Sequence, residues 1–175
     1  MSIKNVSFIG LGVMGYPMAG HLQNNGYNVT VYNRTTVKAE KWVEEYKGSM
    51  AKTPGEASQN SEIVFMCVGR DEDIIEVMEG ESGILSNAAE GSIIVDHTTA
   101  SAEIARNYYQ KLKDKKLSFL DAPVSGGQAG AENGVLSIMI GGDEKDYNTV
   151  KPCLLYTSDA ADDMQCVDLG GRRII

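Results

Sequence analysis

The chain of 175 residues is 42% hydrophobic and 23% charged, a composition typical of one globular domain. It carries 16 basic and 24 acidic residues, and the resulting net charge of −8 argues against the basic surface that nucleic acid and anionic membranes require. No run of 18 apolar residues occurs, so the sequence predicts no membrane span.

Strand-like apolar runs alternate with helical segments along the chain. The helical segments repeat their apolar residues every three or four positions, as Met14, Met18 and Leu22 do. Several strands are continuous apolar runs, which indicates burial on both faces of a parallel sheet. This alternation predicts an α/β fold with a doubly wound, mostly parallel sheet. The predicted strands are residues 6–9, 28–32, 49–51, 62–68, 92–96, 117–121 and 135–140, and the predicted helices are residues 14–25, 35–46, one that starts at 53–54, and 101–113.

A glycine-rich loop joins the first strand to the first helix. Residues 10–15 read Gly-Leu-Gly-Val-Met-Gly, the spacing of a dinucleotide-binding loop, and the strand before it and the helix after it strengthen the pattern. Gly10 would make the tight turn, Gly12 would let a diphosphate approach the backbone, and Gly15 would let the helix pack closely on the strand. The diphosphate would lie at the positive end of the helix dipole. A glycine-rich turn without a ligand is the alternative.

The residues that follow the second strand bear on the choice of dinucleotide. An NAD site requires a carboxylate here, about 20 residues beyond the glycine loop, whereas this chain has Asn33, Arg34 and Thr35. Because a guanidinium pairs bidentately with phosphate, Arg34 favours a 2′-phosphate and hence NADP, although NAD stays possible. The missing carboxylate also argues against a methyltransferase. The alternative for Arg34 is a solvated cation at the start of a helix.

A second motif follows the strand at residues 117–121. Residues 121–127 read Asp-Ala-Pro-Val-Ser-Gly-Gly, and two glycines after a serine leave successive N–H groups exposed as an anion-binding nest. Such a nest suits a carboxylate substrate at the carboxyl edge of the sheet. An ordinary loop is the alternative.

The end of the chain has a different character. Residues 153–162 and 167–175 resemble two segments of a translated transposase-type sequencing adapter, in one reading frame and separated by a gap the size of a variable index. We therefore expect a native domain of residues 1–152 and a non-native tail of residues 153–175. The three cysteines of the chain form no CxxC pair, so we expect a reduced, cytoplasmic protein without disulfides or a zinc site.

Four segments together resemble the β-hydroxyacid dehydrogenase family, which includes 3-hydroxyisobutyrate dehydrogenase and tartronate semialdehyde reductase. They are residues 8–19, 33–35, 96–99 and 121–127, and the resemblance covers residues 3–152. It implies an NAD(P)-binding Rossmann domain followed by an all-helical C-terminal domain, which would begin beyond the expected native end. It also implies an oxidoreductase that transfers hydride between a nicotinamide cofactor and a short β-hydroxy acid or semialdehyde.

The resemblance also implies roles for individual residues. Cys67 and Val68 would lie along the cofactor, and Thr99 would lie near the nicotinamide. Where the family has a methionine-serine pair before this threonine, the chain has His97 and Thr98, which we expect to change packing more than chemistry. The implied cofactor-binding residues are Gly10, Leu11, Gly12, Val13, Met14, Gly15, Asn33, Arg34, Thr35, Cys67, Val68 and Thr99, and the implied substrate-binding residues are Ser125, Gly126 and Gly127.

No catalytic residue is assigned within the chain, because the general acid/base of the family is a lysine in the helical domain. We therefore expect this chain to bind cofactor without turnover. The parent enzyme would act on a small carboxylate and would be a homo-oligomer through its helical domain. Two alternatives stay open: a stand-alone dinucleotide-binding module, and the cofactor domain of an imine reductase or 6-phosphogluconate dehydrogenase relative.

Overall fold

The computed structural model describes residues 3–158 and the backbone of residues 173 and 174. Strands and helices alternate along these residues. The strands are β1 (Asn5–Ile9), β2 (Asn28–Tyr32), β3 (Ser49–Met50), β4 (Ile63–Met66), β5 (Ile93–Asp96), β6 (Ser118–Asp121), β7 (Val124–Ser125), β8 (Ser137–Ile140) and β9 (Arg173–Ile174). The helices are α1 (Gly15–Asn24), α2 (Thr36–Tyr46), α3 (Pro54–Ser58), α4 (Asp71–Glu79), α5 (Ile84–Asn87), α6 (Ala102–Lys113), α7 (Gly127–Asn133) and α8 (Glu144–Leu154).

The first six strands form one parallel sheet in the order β3-β2-β1-β4-β5-β6. Strand β1 pairs with β2 on one side and with β4 on the other, so the chain changes direction across the sheet after β3. Open α/β sheets bind ligands beyond the carboxyl ends of their strands at such a switch point. The predicted doubly wound, parallel Rossmann sheet is therefore confirmed, and its switch point lies directly beneath the glycine loop.

Two hydrophobic layers cover the faces of this sheet. One layer packs α1, α2, α7 and α8 against the sheet around Phe8 and Trp42. The other packs α3, α4, α5 and α6 around Ile9 and Met78. Strands β4 and β5 are buried along their whole length, which explains why their sequences are apolar at nearly every position. Within the described residues no helix has the length and apolarity needed to cross a bilayer.

Several elements were not predicted. Helix α4 is acidic over its first turn and fully buries only Ile74 and Met78, so its apolar pattern is short. Helix α7 is rich in glycine and alanine and buries only Gly130 and Ala131. The strand predicted at residues 135–140 is present as β8, but its partners β7 and β9, which pair antiparallel with it in a second, three-stranded sheet, were not predicted. These elements were missed because tertiary packing, more than local pattern, stabilises them.

The last helix continues past the expected native end at residue 152. Cys153 and Leu154 are buried in the same layer as α1, and Thr157 and Ser158 are buried beyond them. The carbonyl of Thr157 accepts a hydrogen bond from the N–H of Leu136 at 3.2 Å. Packing does not record where a sequence came from, so the proposed adapter origin of residues 153–175 stays a prediction, and residues 159–172 and 175 lie outside the described residues.

Candidate functional site

The turn at Gly10 closes β1 against the neighbouring strands. Its φ of +95° lies in a region that favours glycine, and a Cβ here would collide with the carbonyl oxygen of Cys67. The Gly10 N–H donates to the carbonyl of Tyr32 at 2.9 Å, which ties the turn to the end of β2. The tight turn that the sequence predicted at Gly10 is therefore present, and it brings the ends of three strands together.

The other two glycines of the loop differ in what surrounds them. A Cβ on Gly15 would collide with the carbonyl of Gly10 and would lie 2.9 Å from Cε1 of Phe8, so α1 packs on β1 at a distance that only glycine allows. A Cβ on Gly12 would meet no atom within 4 Å. Gly12 thus borders open space at the start of the ten-residue α1, where free N–H groups and the helix dipole favour an anion. This arrangement fits a diphosphate.

Asn33 holds the glycine loop in place. Its Oδ1 accepts a hydrogen bond from the N–H of Leu11 at 2.9 Å, and its Nδ2 donates to the carbonyl of Thr35 at 3.0 Å. Leu11 itself is buried, so its side chain packs beneath the loop. The amide of Asn33 therefore links the loop to the turn between β2 and α2, which is a structural role independent of any contact with a ligand.

The turn after β2 presents cations to solvent. The side chain of Arg34 is 77% exposed, and its Nη1 lies 3.5 Å from Oδ1 of Asp73 and 3.7 Å from Oε2 of Glu76, both on α4. Thr35 is the N-cap residue of α2. Lys38, in the first turn of α2, lines the same cleft as Arg34. The position of Lys38 close to the start of the helix that follows Arg34 was the available sequence signal for this second cation.

These segments line one cleft of about 550 Å³, a size suited to a bound cofactor. Ten of the twelve predicted cofactor residues line it: Gly10, Gly12, Val13, Met14, Gly15, Asn33, Arg34, Thr35, Cys67 and Val68. The remaining two do not line the cleft: Leu11 is buried beneath the loop, and Thr99 is exposed elsewhere on the surface. Lining residues that the sequence analysis did not identify include Tyr32, Lys38, Thr53, Gly69, Asp73 and Glu76.

The wall of the cleft at Val68, beside Gly10, rests on a short chain of hydrogen bonds. The N–H of Val68 donates to Oγ1 of Thr98 at 3.1 Å, and the N–H of Thr98 donates to Oδ1 of Asp96 at 2.8 Å. Burial raises the pKa of Asp96 to about 7, although the hydrogen bonds from Thr98 act in the opposite direction. Burial likewise raises the pKa of the Cys67 thiol to about 12, so this thiol is protonated at neutral pH and is a poor nucleophile.

His97 is part of the core. Its ring stacks on Phe65 with centroids 5.8 Å apart and an interplanar angle of 4°, and Nδ1 lies 2.7 Å from the carbonyl of Ala122. Burial lowers the pKa of His97 to about 4, so the ring is neutral at physiological pH. This supports the expectation that the departure from the family pattern at this position affects packing.

The predicted substrate nest lies apart from the cofactor cleft. Ser125 ends β7, and Gly126 and Gly127 have φ angles of +133° and +63° where the chain enters α7. All three residues are exposed, and none of them lines the cleft. The backbone conformation explains why two glycines occur here, whereas binding of a substrate carboxylate stays a prediction.

Comparisons with known proteins agree with this geometry. A family model described as the NAD binding domain of 6-phosphogluconate dehydrogenase matches residues 5–170. An uncharacterized oxidoreductase of Shewanella frigidimarina is 54% identical over 160 residues, which are 91% of this chain and 55% of that protein. The chain spans about half the length of the curated relatives it matches.

Two solved structures are similar over most of the chain. The 3-hydroxyisobutyrate dehydrogenase of Mycobacterium tuberculosis, solved with L-serine, has a TM-score of 0.81 and 27% identity, and the match covers 90% of this chain and 53% of that one. A protein named Psf3, solved in complex with NADP+ and 2-OPP, has a TM-score of 0.83 and 27% identity, and the match covers 87% of this chain and 54% of that one.

Proposed function

The chain belongs to the family of NAD-binding domains found in 6-phosphogluconate dehydrogenase and in 3-hydroxyisobutyrate dehydrogenase-like oxidoreductases, and from that premise we propose that it is the cofactor domain of an NADP-preferring dehydrogenase. The parent enzyme would interconvert a short β-hydroxy acid and its semialdehyde. The observation that carries the proposal is that one cleft is lined both by the glycine loop, which is a backbone anion site, and by the cation Arg34.

The glycine loop would hold the diphosphate of the cofactor. The space in front of Gly12 admits a phosphate because no Cβ fills it, and the N-terminus of α1 supplies positive potential there. Val68, supported by Thr98 and Asp96, would form the wall beside the nicotinamide end. When bound, the nicotinamide supplies or accepts the hydride, and the residues of this chain orient it.

The preference for NADP rests on the turn between β2 and α2. Asn33 occupies the position where a carboxylate would select NAD, and its amide is engaged in the turn. Arg34 and Lys38 supply two cations at the same end of the cleft, which suits a 2′-phosphate. The complex of Psf3 with NADP+ is consistent with this choice.

The substrate assignment depends on the nest at Ser125, Gly126 and Gly127 and on the relatives. A carboxylate would accept hydrogen bonds from successive N–H groups of such a nest. Transfer of the hydroxyl proton would need a general acid in the half of the relatives that this chain does not span, so we propose that the chain alone binds cofactor without turnover. We further propose a homo-oligomeric, cytoplasmic parent enzyme.

A fluorescence titration with NADPH and NADH tests the cofactor preference. A charge-assisted contact contributes about 1.5–3 kcal/mol, so NADPH should bind roughly tenfold or more tightly than NADH. Arg34→Gln should remove most of that preference. Arg106→Gln, which removes an exposed arginine on α6 outside the cleft, is the matched control and should leave both affinities unchanged. Equal dissociation constants for the two cofactors in the unsubstituted protein would contradict the preference.

A further inference from the structure

Arg34, the residue expected to bind a 2′-phosphate, is already engaged by carboxylates from across the cleft. Its Nη1 lies 3.5 Å from Oδ1 of Asp73 and 3.7 Å from Oε2 of Glu76. The two acids lie three residues apart on α4 and therefore share one face of that helix. All three side chains line the same cavity. A ligand that needs the Arg34 guanidinium must therefore compete with groups of this protein.

The two sides of this contact differ in how firmly they are held. The side chain of Asp73 is only 23% exposed, against 77% for Arg34, and it lies in the first turn of α4. Its second oxygen, Oδ2, lies 4.0 Å from Nε of Arg70, so Asp73 stands between two guanidinium groups. Arg34 is the long, exposed partner with many rotamers. If the pair opens, Arg34 is therefore the side chain that moves, and the carboxylate stays at the edge of the cleft.

We propose that Asp73, with Glu76, is a specificity-determining residue that holds Arg34 across the adenosine end of the cleft and thereby weakens the selection of NADP over NAD. This inference rests on the proposed role of Arg34 in cofactor preference. A phosphate monoester carries about two negative charges near neutral pH, so a 2′-phosphate bound at Arg34 must displace Asp73 from the guanidinium and tolerate its charge nearby. The 2′-hydroxyl of NAD is uncharged, so it neither displaces Asp73 from Arg34 nor is repelled by it.

The adenosine end of the cleft contains two acids, but it also contains a second cation that could bind a phosphate. Lys38 lines the cleft and takes part in none of the ion pairs among the described residues, so it is available to a phosphate even while Arg34 is paired. The 2′-phosphate would then meet one available cation and one that must be released. The strength of the NADP preference accordingly depends on α4 as well as on the turn after β2.

Neutralising the competing acids tests the proposal. Dissociation constants for NADPH and NADH are measured for Asp73→Asn, for Glu76→Gln and for a control, Glu72→Gln. Glu72 neighbours Asp73 and pairs with Arg70 at 3.4 Å, but it does not line the cleft. Since exposed ion pairs are weak, we expect Asp73→Asn to tighten NADPH binding about three- to tenfold and Glu76→Gln by less, with NADH changed less than about twofold. Glu72→Gln should change neither affinity.

A second set of variants identifies the route of the effect. In an Arg34→Gln background, Asp73→Asn should lose at least half of its gain in NADPH affinity, because no guanidinium remains to be released. A full gain in that background would overturn the proposed holding of Arg34 and leave only repulsion through space. A weaker affinity for NADH after Asp73→Asn would overturn the proposal in another way, by identifying Asp73 as an acceptor for the ribose hydroxyls.

The two proposals fail separately in these measurements. Equal affinities of the unsubstituted protein for NADPH and NADH would contradict the proposed NADP preference. An Asp73→Asn variant that binds NADPH as the Glu72→Gln control does would contradict the role of Asp73, whatever the preference of the unsubstituted protein. Glu76→Gln leaves the first turn of α4 intact, so it provides the same test if Asp73→Asn lowers the stability of the helix.

Discussion

Two parts of the cofactor cleft, the rigid end at the glycine loop and the mobile end at Arg34, differ in whether backbone or side chains form their surface. At the glycine loop, the shape is set by backbone: Gly10 is closed against Cys67, Gly15 against Phe8, and Asn33 braces the turn. At the adenosine end, the exposed guanidinium of Arg34, just before α2, pairs loosely with Asp73 and Glu76 of α4. Backbone fixed by a sheet moves little, whereas long exposed side chains exchange partners on a nanosecond scale.

This difference separates two aspects of recognition. The rigid end suits a group that every dinucleotide carries, the diphosphate, and it should govern affinity for NAD and NADP alike. The mobile end suits the group that distinguishes them, and single substitutions there should shift preference without changing the fold. Predictions about the rigid end therefore concern total affinity or stability, and predictions about the mobile end concern the ratio of two affinities.

Gly12→Val should produce the largest effect. The new side chain would occupy the space in front of α1, so binding of NADPH and NADH should both weaken by at least about 100-fold, because the diphosphate loses its closest approach to the backbone. The melting temperature should change little, since a Cβ at this position meets no protein atom. Gly15→Val is the informative comparison and should lower the melting temperature sharply. Retained binding of NADPH and NADH in Gly12→Val would contradict the placement of the diphosphate at the glycine loop.

Asp96→Asn tests the support of the wall at Val68. The pKa of Asp96 is raised to about 7 in the folded state, above its ordinary value of about 3.8, mainly by burial. Between these two pH values the folded state binds a proton that the unfolded chain releases, so stability falls as pH rises through this window. An asparagine keeps an acceptor for the Thr98 N–H without this penalty. Between pH 4 and 7, the unfolding free energy of the variant should therefore rise relative to that of the unsubstituted protein by up to about 4 kcal/mol.

Chemical denaturation at several pH values measures this difference. His97, whose pKa is lowered to about 4, adds stability as pH rises over part of the same range, but it is present in both proteins and its contribution cancels in the comparison. A difference in unfolding free energy that stays constant between pH 4 and 7 would contradict a buried carboxyl that retains its proton.

Lys38→Gln probes the mobile end by removing the second cation. Loss of one exposed charge near a phosphate should weaken NADPH binding by about two- to fivefold and leave NADH binding unchanged. The control is Lys41→Gln, which removes an exposed lysine three residues further along α2 that does not line the cleft. Equal losses for NADPH and NADH would indicate that Lys38 contacts a part common to both cofactors.

Ser7→Ala should produce the smallest effect and concerns the strand beneath the rigid end. Oγ of Ser7 is buried on β1 and has no hydrogen-bond partner among the described residues. Removing an unsatisfied hydroxyl should leave stability unchanged or raise it by up to about 1 kcal/mol. Ser58→Ala removes a buried hydroxyl that donates to the carbonyl of Gly55 at 2.9 Å, and it should be destabilising. Equal losses from both variants, measured by urea denaturation, would indicate that Ser7 has a partner.

The sequence predicted the rigid end better than the mobile end. The tight turn expected at Gly10 and the close packing expected at Gly15 match the geometry, and Gly12 borders open space, because each follows from what a Cβ would meet in a strand–turn–helix unit. Asp73 and Glu76 were not identified, although they face Arg34, since nothing local to α4 shows that it packs beside a turn 39 residues earlier. Leu11 was predicted as a cofactor residue; its side chain lies buried beneath the loop, and its role toward a cofactor stays a prediction.

By itself, the sequence determined the class of the fold, the six strands of the parallel sheet, and the position of a dinucleotide loop, because these depend on apolar periodicity and on conformations that glycine allows. Only the tertiary structure decided which charges share the cleft. The neighbours of a side chain depend on how β2 and β4 are placed about β1 in the sheet, and that placement comes from packing between distant segments. The pairing of Arg34 with α4, and the burial that raises the pKa of Asp96, exist only once those segments meet.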